Sequence, residues 1–132
     1  FLPEHRQDFE MLCGVLSMRN LVSQPVTLIG IYYDDPSAVA EEKLRSKAGA
    51  ILDVTNIEPP LERTEIAGGR YAVLRRIGPY SDLMAAYQWL YQNWLMQSGE
   101  QPADAPPFEL HLNTPQDTAP ADLITDIHLP LR

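Results

Sequence analysis

Set against itself with a shift of 79 residues, the chain lines up two successions of helix, strand, proline loop and strand. Ile31-Tyr32-Tyr33-Asp34-Asp35-Pro36 falls on Leu110-His111-Leu112-Asn113-Thr114-Pro115 without a gap. Ala40 then meets Ala119, Leu44 meets Leu123 and Ser46 meets Thr125. Identities are few, but the order of elements agrees throughout, which is the signature of an internal duplication. The fold must therefore be one that two similar half-units can build together.

The second copy is complete. It reads as strand Tyr71–Ile77, helix Ser81–Ser98, and strands Phe108–Leu112 and Leu123–Leu129. Ser81 suits an N-cap, Asp82 complements the first-turn dipole, and Gly99 suits a stop. Leu83, Met84, Tyr87, Leu90, Tyr91, Trp94 and Leu95 share one helical stripe. Trp89, with Ala85 and Met96, falls roughly opposite, as a second strip that is either covered by a loop or a partner surface.

The first copy reads as helix Pro3–Asn20, with Phe9, Leu12, Cys13 and Leu16 inward, then strands Val26–Tyr33 and Ala48–Val54. An extended segment from Glu62 to Ile77, interrupted at Gly68-Gly69, links the copies. The first copy has no opening strand, and the chain begins with Phe1 rather than Met. Either that strand stood upstream and was cut off, or a bare sheet edge invites pairing with another chain.

Composition narrows the function classes. At 132 residues, one domain with one core is expected. Cys13 is the only cysteine, so no internal disulfide forms and a reducing, cytoplasmic setting is expected. No apolar run nears the roughly 20 residues of a membrane span, and there is no secretory leader pattern. Ten Lys and Arg stand against 18 Asp and Glu, a formal charge of −8. Direct nucleic-acid contact by this segment is disfavoured, because phosphates call for a cationic stripe.

The stretch Arg70-Tyr71-Ala72-Val73-Leu74-Arg75-Arg76-Ile77-Gly78-Pro79-Tyr80 resembles the strand-turn motif of the GyrI-like family, which is related to the effector domains of AraC-type and MerR-type multidrug regulators. The match continues through Tyr91-Gln92-Asn93-Trp94-Leu95, Pro107-Phe108-Glu109 and Leu123-Ile124-Thr125-Asp126-Ile127. Earlier in the chain it takes in Gly30 to Pro36 and Glu41 to Arg45. The resemblance implies an α+β fold. Two SH2-like halves, 1–61 and 62–132, would sit about a pseudo-dyad. Their strands would form a curved antiparallel sheet with two helices on one face, the first half lacking its first strand. A ligand cleft would lie between the halves. It also implies binding of hydrophobic, often cationic small molecules, either behind an upstream DNA-binding domain or as a stand-alone sequestering or gyrase-protecting protein. Some branches of the family hydrolyse cyclopropane-bearing toxins.

Within that frame Glu109 leads the candidates. Alternation puts Phe108, Leu110 and Leu112 on one face of their strand, expected to meet the helices, and Glu109 with His111 on the other, expected to line the cleft. In the repeat Glu109 falls on Gly30 and His111 on Tyr32, so the carboxylate has no symmetry mate and a gap is expected beside it. Without the resemblance, a solvated sheet residue is the ordinary reading of Glu109. An ionised carboxylate in an apolar cleft costs several kcal/mol unless paired, and a cationic ligand would meet that need. Tyr32 and His111 share its parity, with a sheet aromatic and a structural hydrogen-bonder as their ordinary readings. Tyr71 and Tyr80 bracket their strand, where turn and edge packing compete with a place on the cleft rim. Trp94 is a core anchor or a deep cleft wall.

Catalytic constellations are thin. His5, His111, His128 and Cys13 have no metal-ligand spacing, and no cofactor is implied. Gly68-Gly69 is too short for a phosphate loop, and Ser98 lacks a nucleophile elbow. A hydrolase would have to use Glu109 on water, with a tyrosine as proton donor. A binding role without catalysis is therefore the leading expectation, with a small-molecule ligand as partner. A second copy or an upstream DNA-binding domain stands as a further one.

Overall fold

The computed structural model describes residues 5–19, 27–34, 40, 43, 45–52, 57–66, 68–115 and 117–132, with 5–10 described by their backbone alone. The inward placing of Phe9, the proline loop at Pro36 and the pairing of Leu44 with Leu123 lie outside the described residues. Helix α1 (His5–Met18) precedes strands β1 (Thr27–Tyr32), β2 (Ser46–Ile51) and β3 (Tyr71–Ile77). A long helix follows, made of α2 (Leu83–Trp89), a π-helical stretch (Leu90–Trp94) and α3 (Leu95–Ser98). Strands β4 (Phe108–His111) and β5 (Ile124–Pro130) complete the chain. All five strands form one antiparallel sheet in the order β2-β1-β4-β5-β3. No helix among the described residues is long and apolar enough to cross a membrane.

Register organises the two faces. One row runs straight across the sheet as Ala48, Gly30, Glu109, Ile127 and Leu74. Directly opposed residues share a face, so Glu109 lies on the same side as Ile127 and Leu74. That side is the one the long helix covers. Leu83, Ala86 and Leu90 pack on Ile127 and Leu129, with Ala72, Leu74, Tyr80, Tyr87, Trp94 and Leu95 around them. The other face carries a smaller cluster of Ile29, Ile31 and Phe108 with Tyr71 and Leu110.

This reverses the expected assignment. Phe108 and Leu110 turn away from the long helix, Leu112 is exposed past the strand end, and Glu109 and His111 lie beneath that helix. Alternation says which residues share a face. It does not say which face a helix will cover, and here the pairing of Glu109 with Ile127 decides it.

The strands agree with the sequence reading to within three residues at their ends, except in the linker. There Glu62 to Ile66 form no ladder and are exposed, and the strand begins only at Tyr71. Lys47 anchors this stretch by an ion pair to Glu62 at 2.8 Å. Ser81 is not an N-cap. Pro79, held extended after the Gly78 turn, starts a 3-10 turn over Tyr80–Asp82 that runs directly into α2 with no side-chain cap. At the far end Gly99 has φ 76°, the left-handed stop expected of a glycine there.

The π stretch changes which helix residues share a side. Leu95 N–H bonds to Leu90 O, five residues back, which inserts one residue into the α-helical count. Trp89, Asn93, Trp94 and Gln97 therefore come together, whereas Met96 is rotated off the strip that a regular wheel shares with Trp89. Met84 and Tyr91, placed on the inward stripe by that wheel, are exposed.

Ile127 has no exposed surface and sits where the helix meets the sheet. Truncation to Ala should destabilise the protein by about 2–4 kcal/mol in urea unfolding, with the slope unchanged. Val73→Ala, at a half-exposed position on the opposite face, should stay within about 0.5 kcal/mol. Equal costs at the two sites would contradict this placing of the core.

Candidate functional site

Glu109 stands in the middle strand and has no exposed surface. From the helix above, the Tyr87 hydroxyl donates to its Oε2 at 3.0 Å. His111, two residues on and 3% exposed, brings Nε2 to 4.0 Å from Oε1. The Tyr80 ring stands edge-on to the His111 ring, centroids 5.3 Å apart. Tyr32 completes the group from β1. Its phenol folds back over Gly30, so that a Cβ on Gly30 would lie 2.7 Å from the Tyr32 hydroxyl oxygen. The glycine does face Glu109, as the repeat implied, but the gap expected there is filled by Tyr32. Only a residue without a side chain lets that ring approach so closely.

The electrostatics are those of a dry carboxylate site. Burial, then the charge of Glu109 and a hydrogen bond to it, hold the Tyr32 phenol protonated far above its usual range. Tyr87 is pushed well up by the same burial and charge. Tyr80, less covered, is raised to about 12 by burial first and Glu109 second. Burial lowers His111 below its usual value, against the opposing pull of Glu109, so the ring is neutral at pH 7. Thr125 sits across from His111 on the same face, 1% exposed, and its hydroxyl has no hydrogen-bond partner among the described residues.

Of the residues singled out in the sequence, the structure thus brings Glu109, Tyr32, His111 and Tyr80 together. Tyr71 lies on the opposite face, edge-on to Phe108 at 5.4 Å, next to a parallel stack of Phe108 and His128 at 4.5 Å. Trp94 packs half-buried against the main core and also lines a groove of about 380 Å³ with Trp89, Asn93, Gln97 and Ser98. Sequence reasoning missed Tyr87 and Thr125 as site residues. Tyr87 was legible as a buried tyrosine in need of a partner, and Thr125 through its alignment with Ser46 beside the His111 repeat pair. No group of three His, Cys, Asp or Glu among the described residues is placed to hold a metal ion.

Two measurements check this geometry. Tyr87→Phe removes the donor to a buried carboxylate and should cost about 1–3 kcal/mol of stability. No change would mean that the hydrogen bond at Oε2 is not formed in solution. His111 binds its proton less readily folded than unfolded, so stability should fall as pH drops below about 6.5, the unfolded chain then taking up the proton that the folded one refuses. His111→Gln should flatten the stability profile just below pH 6.5; an unchanged slope would show that His111 does not titrate this way.

Comparison with known proteins adds a lineage to this geometry. The model of the GyrI-like small molecule binding domain matches residues 6–132. The Probable transcriptional regulator YgiV of Escherichia coli (strain K12) is 30% identical over 104 residues, covering 77% of this chain and 65% of the relative's own length. A DNA gyrase inhibitor of Escherichia fergusonii is 32% identical over 113 residues, covering 82% and 71%. That of Salmonella typhimurium is 28% identical over 131 residues, covering 96% and 82%. With a family model spanning nearly its whole length, the chain belongs to the GyrI-like small-molecule-binding domain family.

Proposed function

We propose that this domain binds hydrophobic cations at Glu109, as the effector-binding part of a cytoplasmic transcription regulator or as a stand-alone binding protein. One observation carries the reading: a carboxylate with no exposed surface, in the middle strand, gathered with three phenols and a neutral imidazole. Desolvating a carboxylate costs several kcal/mol, and phenol hydrogen bonds offset only part of that. A cation that displaced the Tyr87 and Tyr32 hydroxyls would meet the carboxylate with an opposite charge. The faces of the freed rings would add about 0.5–2 kcal/mol each through cation–π contact. Because Tyr87 rides on α2, entry of such a ligand requires that side chain or that helix to move.

The reading includes two related halves, 1–61 and 62–132, with the ligand at their junction. The register supports it. Ile29 faces Gly49 in the first hairpin, and the shift of 79 residues carries this pair onto Phe108 and His128, which face each other in the second. Gly30 and Glu109, partners across β1 and β4, are themselves related by that shift. A two-fold axis would pass between them, so the acid stands where the two halves meet.

A regulatory role is supported by the relative named a probable transcriptional regulator. The relatives named DNA gyrase inhibitors favour a second reading, a protein-binding surface, for which Trp89, 48% exposed beside Trp94, is the natural anchor. Hydrolysis of a strained, cyclopropane-type compound by the Glu109 and tyrosine cluster is distinguishable from both by turnover beyond one equivalent.

Glu109→Gln should weaken binding of a lipophilic aryl cation tenfold or more in a tryptophan-fluorescence titration, while a neutral analogue of the same shape binds as before. Equal losses for both would remove charge from the account.

A further inference from the structure

Strand β3 ends the sheet order, and β5 is its only ladder partner among the described residues. Its hydrogen bonds sort its residues into two sets. Gly78 N–H bonds to Leu123 O, and Leu131 N–H bonds to Arg70 O. Alternation along an antiparallel pair then turns the backbone groups of Ala72, Leu74 and Arg76 toward β5 and those of Val73, Arg75 and Ile77 off the edge. No backbone partner meets these three on that side among the described residues. Their side chains are exposed as well, Val73 to 54%, Ile77 to 57% and the Arg75 side chain to 56%.

Such an edge is ordinarily blunted by a proline, a bulge or unpaired charge. β3 runs through seven residues in unbroken register with β5 and contains no proline. Its arginines are already engaged. Arg75 meets both oxygens of Asp126, at 2.8 and 3.0 Å, and Arg76 reaches Asp82 at 3.3 Å. The edge is thus close to neutral, although the chain carries a formal charge of −8. Set antiparallel against a copy of itself about Leu74, the strand is self-complementary. Val73 falls opposite Arg75 of the second copy, Ala72 opposite Arg76, Tyr71 opposite Ile77, and Leu74 opposite Leu74. No arginine faces an arginine, and an aromatic opposite a β-branched residue is a favourable pair. Centred one residue later, the strand would set Arg75 against Arg75, where like charges repel.

From this edge we propose that two copies of the domain associate through β3, antiparallel about Leu74, into one continuous sheet with two-fold symmetry. The outward N–H and C=O of Val73 exchange bonds with those of Arg75 in the second copy, and the reverse, as an isologous contact requires. An edge-to-edge contact buries little surface, so the association belongs to the weak, reversible class. Strand β5 separates β3 from the strand that carries Glu109, so this pairing stands or falls independently of cation binding.

Sedimentation equilibrium of the 132-residue chain, with amide hydrogen exchange by NMR, tests this from about 10 µM to about 1 mM. The mass should climb from 14.9 kDa toward twice that value. Exchange at Val73, Arg75 and Ile77 should slow by about twofold or more at the high end, while Ala72, Leu74 and Arg76, already bonded to β5, stay as they were. The mass of one chain throughout, or association without slowing at those three amides, overturns the proposal. Two substitutions at an exposed position read the register. Val73→Glu, opposite Arg75 of the second copy, should associate about tenfold more tightly than Val73→Lys, because the symmetric contact forms that pair twice. Equal association of the two variants overturns the pairing about Leu74.

Discussion

The hydrogen bond from Tyr87 to Glu109 joins the helix to the sheet at the point where the sheet is least able to tolerate a charge. Glu109 occupies the central strand, in a row whose other members are Ala48, Gly30, Ile127 and Leu74. Core positions of this kind are normally apolar, because a buried acid is stable only when its lone pairs are met. Tyr87 meets one oxygen from above, and Tyr32, Tyr80 and His111 stand near it. Each of these groups is neutral, and burial beside Glu109 raises each phenol's pKa, as burial lowers that of His111. The arrangement sets neutral hydrogen-bonding groups around the carboxylate.

Another acid of the sheet is held in a different way. On the opposite face Asp126 faces Arg75 across β5 and β3, and the guanidinium meets both carboxylate oxygens, at 2.8 and 3.0 Å. There an acid has its counter-charge built in. Small residues at Ala48 and Gly30 give the Glu109 face room on one side, and Gly30 lets the Tyr32 ring lie over the sheet where a larger residue would hold it off. A ring parked over a glycine is held by packing, which can be exchanged for contacts with a guest.

Much of this was legible in the residues. Glu109 and its relation to Gly30, the shared parity of Tyr32 and His111, and the strand order within each hairpin all follow from alternation and the 79-residue repeat. The orientation of the β4 faces was not, because Phe108 and Leu110 form an apolar cluster of their own with Ile29 and Ile31, so both faces of the strand are buried and local pattern cannot rank them. The π stretch was equally invisible. Nothing in Leu90-Tyr91-Gln92-Asn93-Trp94 marks an inserted residue, yet it moves Trp94 toward Trp89. Thr125 escaped notice because a strand threonine is common; only its burial and its place across from His111 set it apart.

The most direct measurement is a crystal structure of the domain with 4-phenylbenzylammonium bound. The account predicts the ammonium nitrogen within about 4 Å of the Glu109 carboxylate, the Tyr87 hydroxyl moved off Oε2, and the Tyr32 ring swung away from Gly30. Density for the ligand only in the groove between Trp89 and Trp94, with the hydrogen bond from Tyr87 to Glu109 intact, would contradict it.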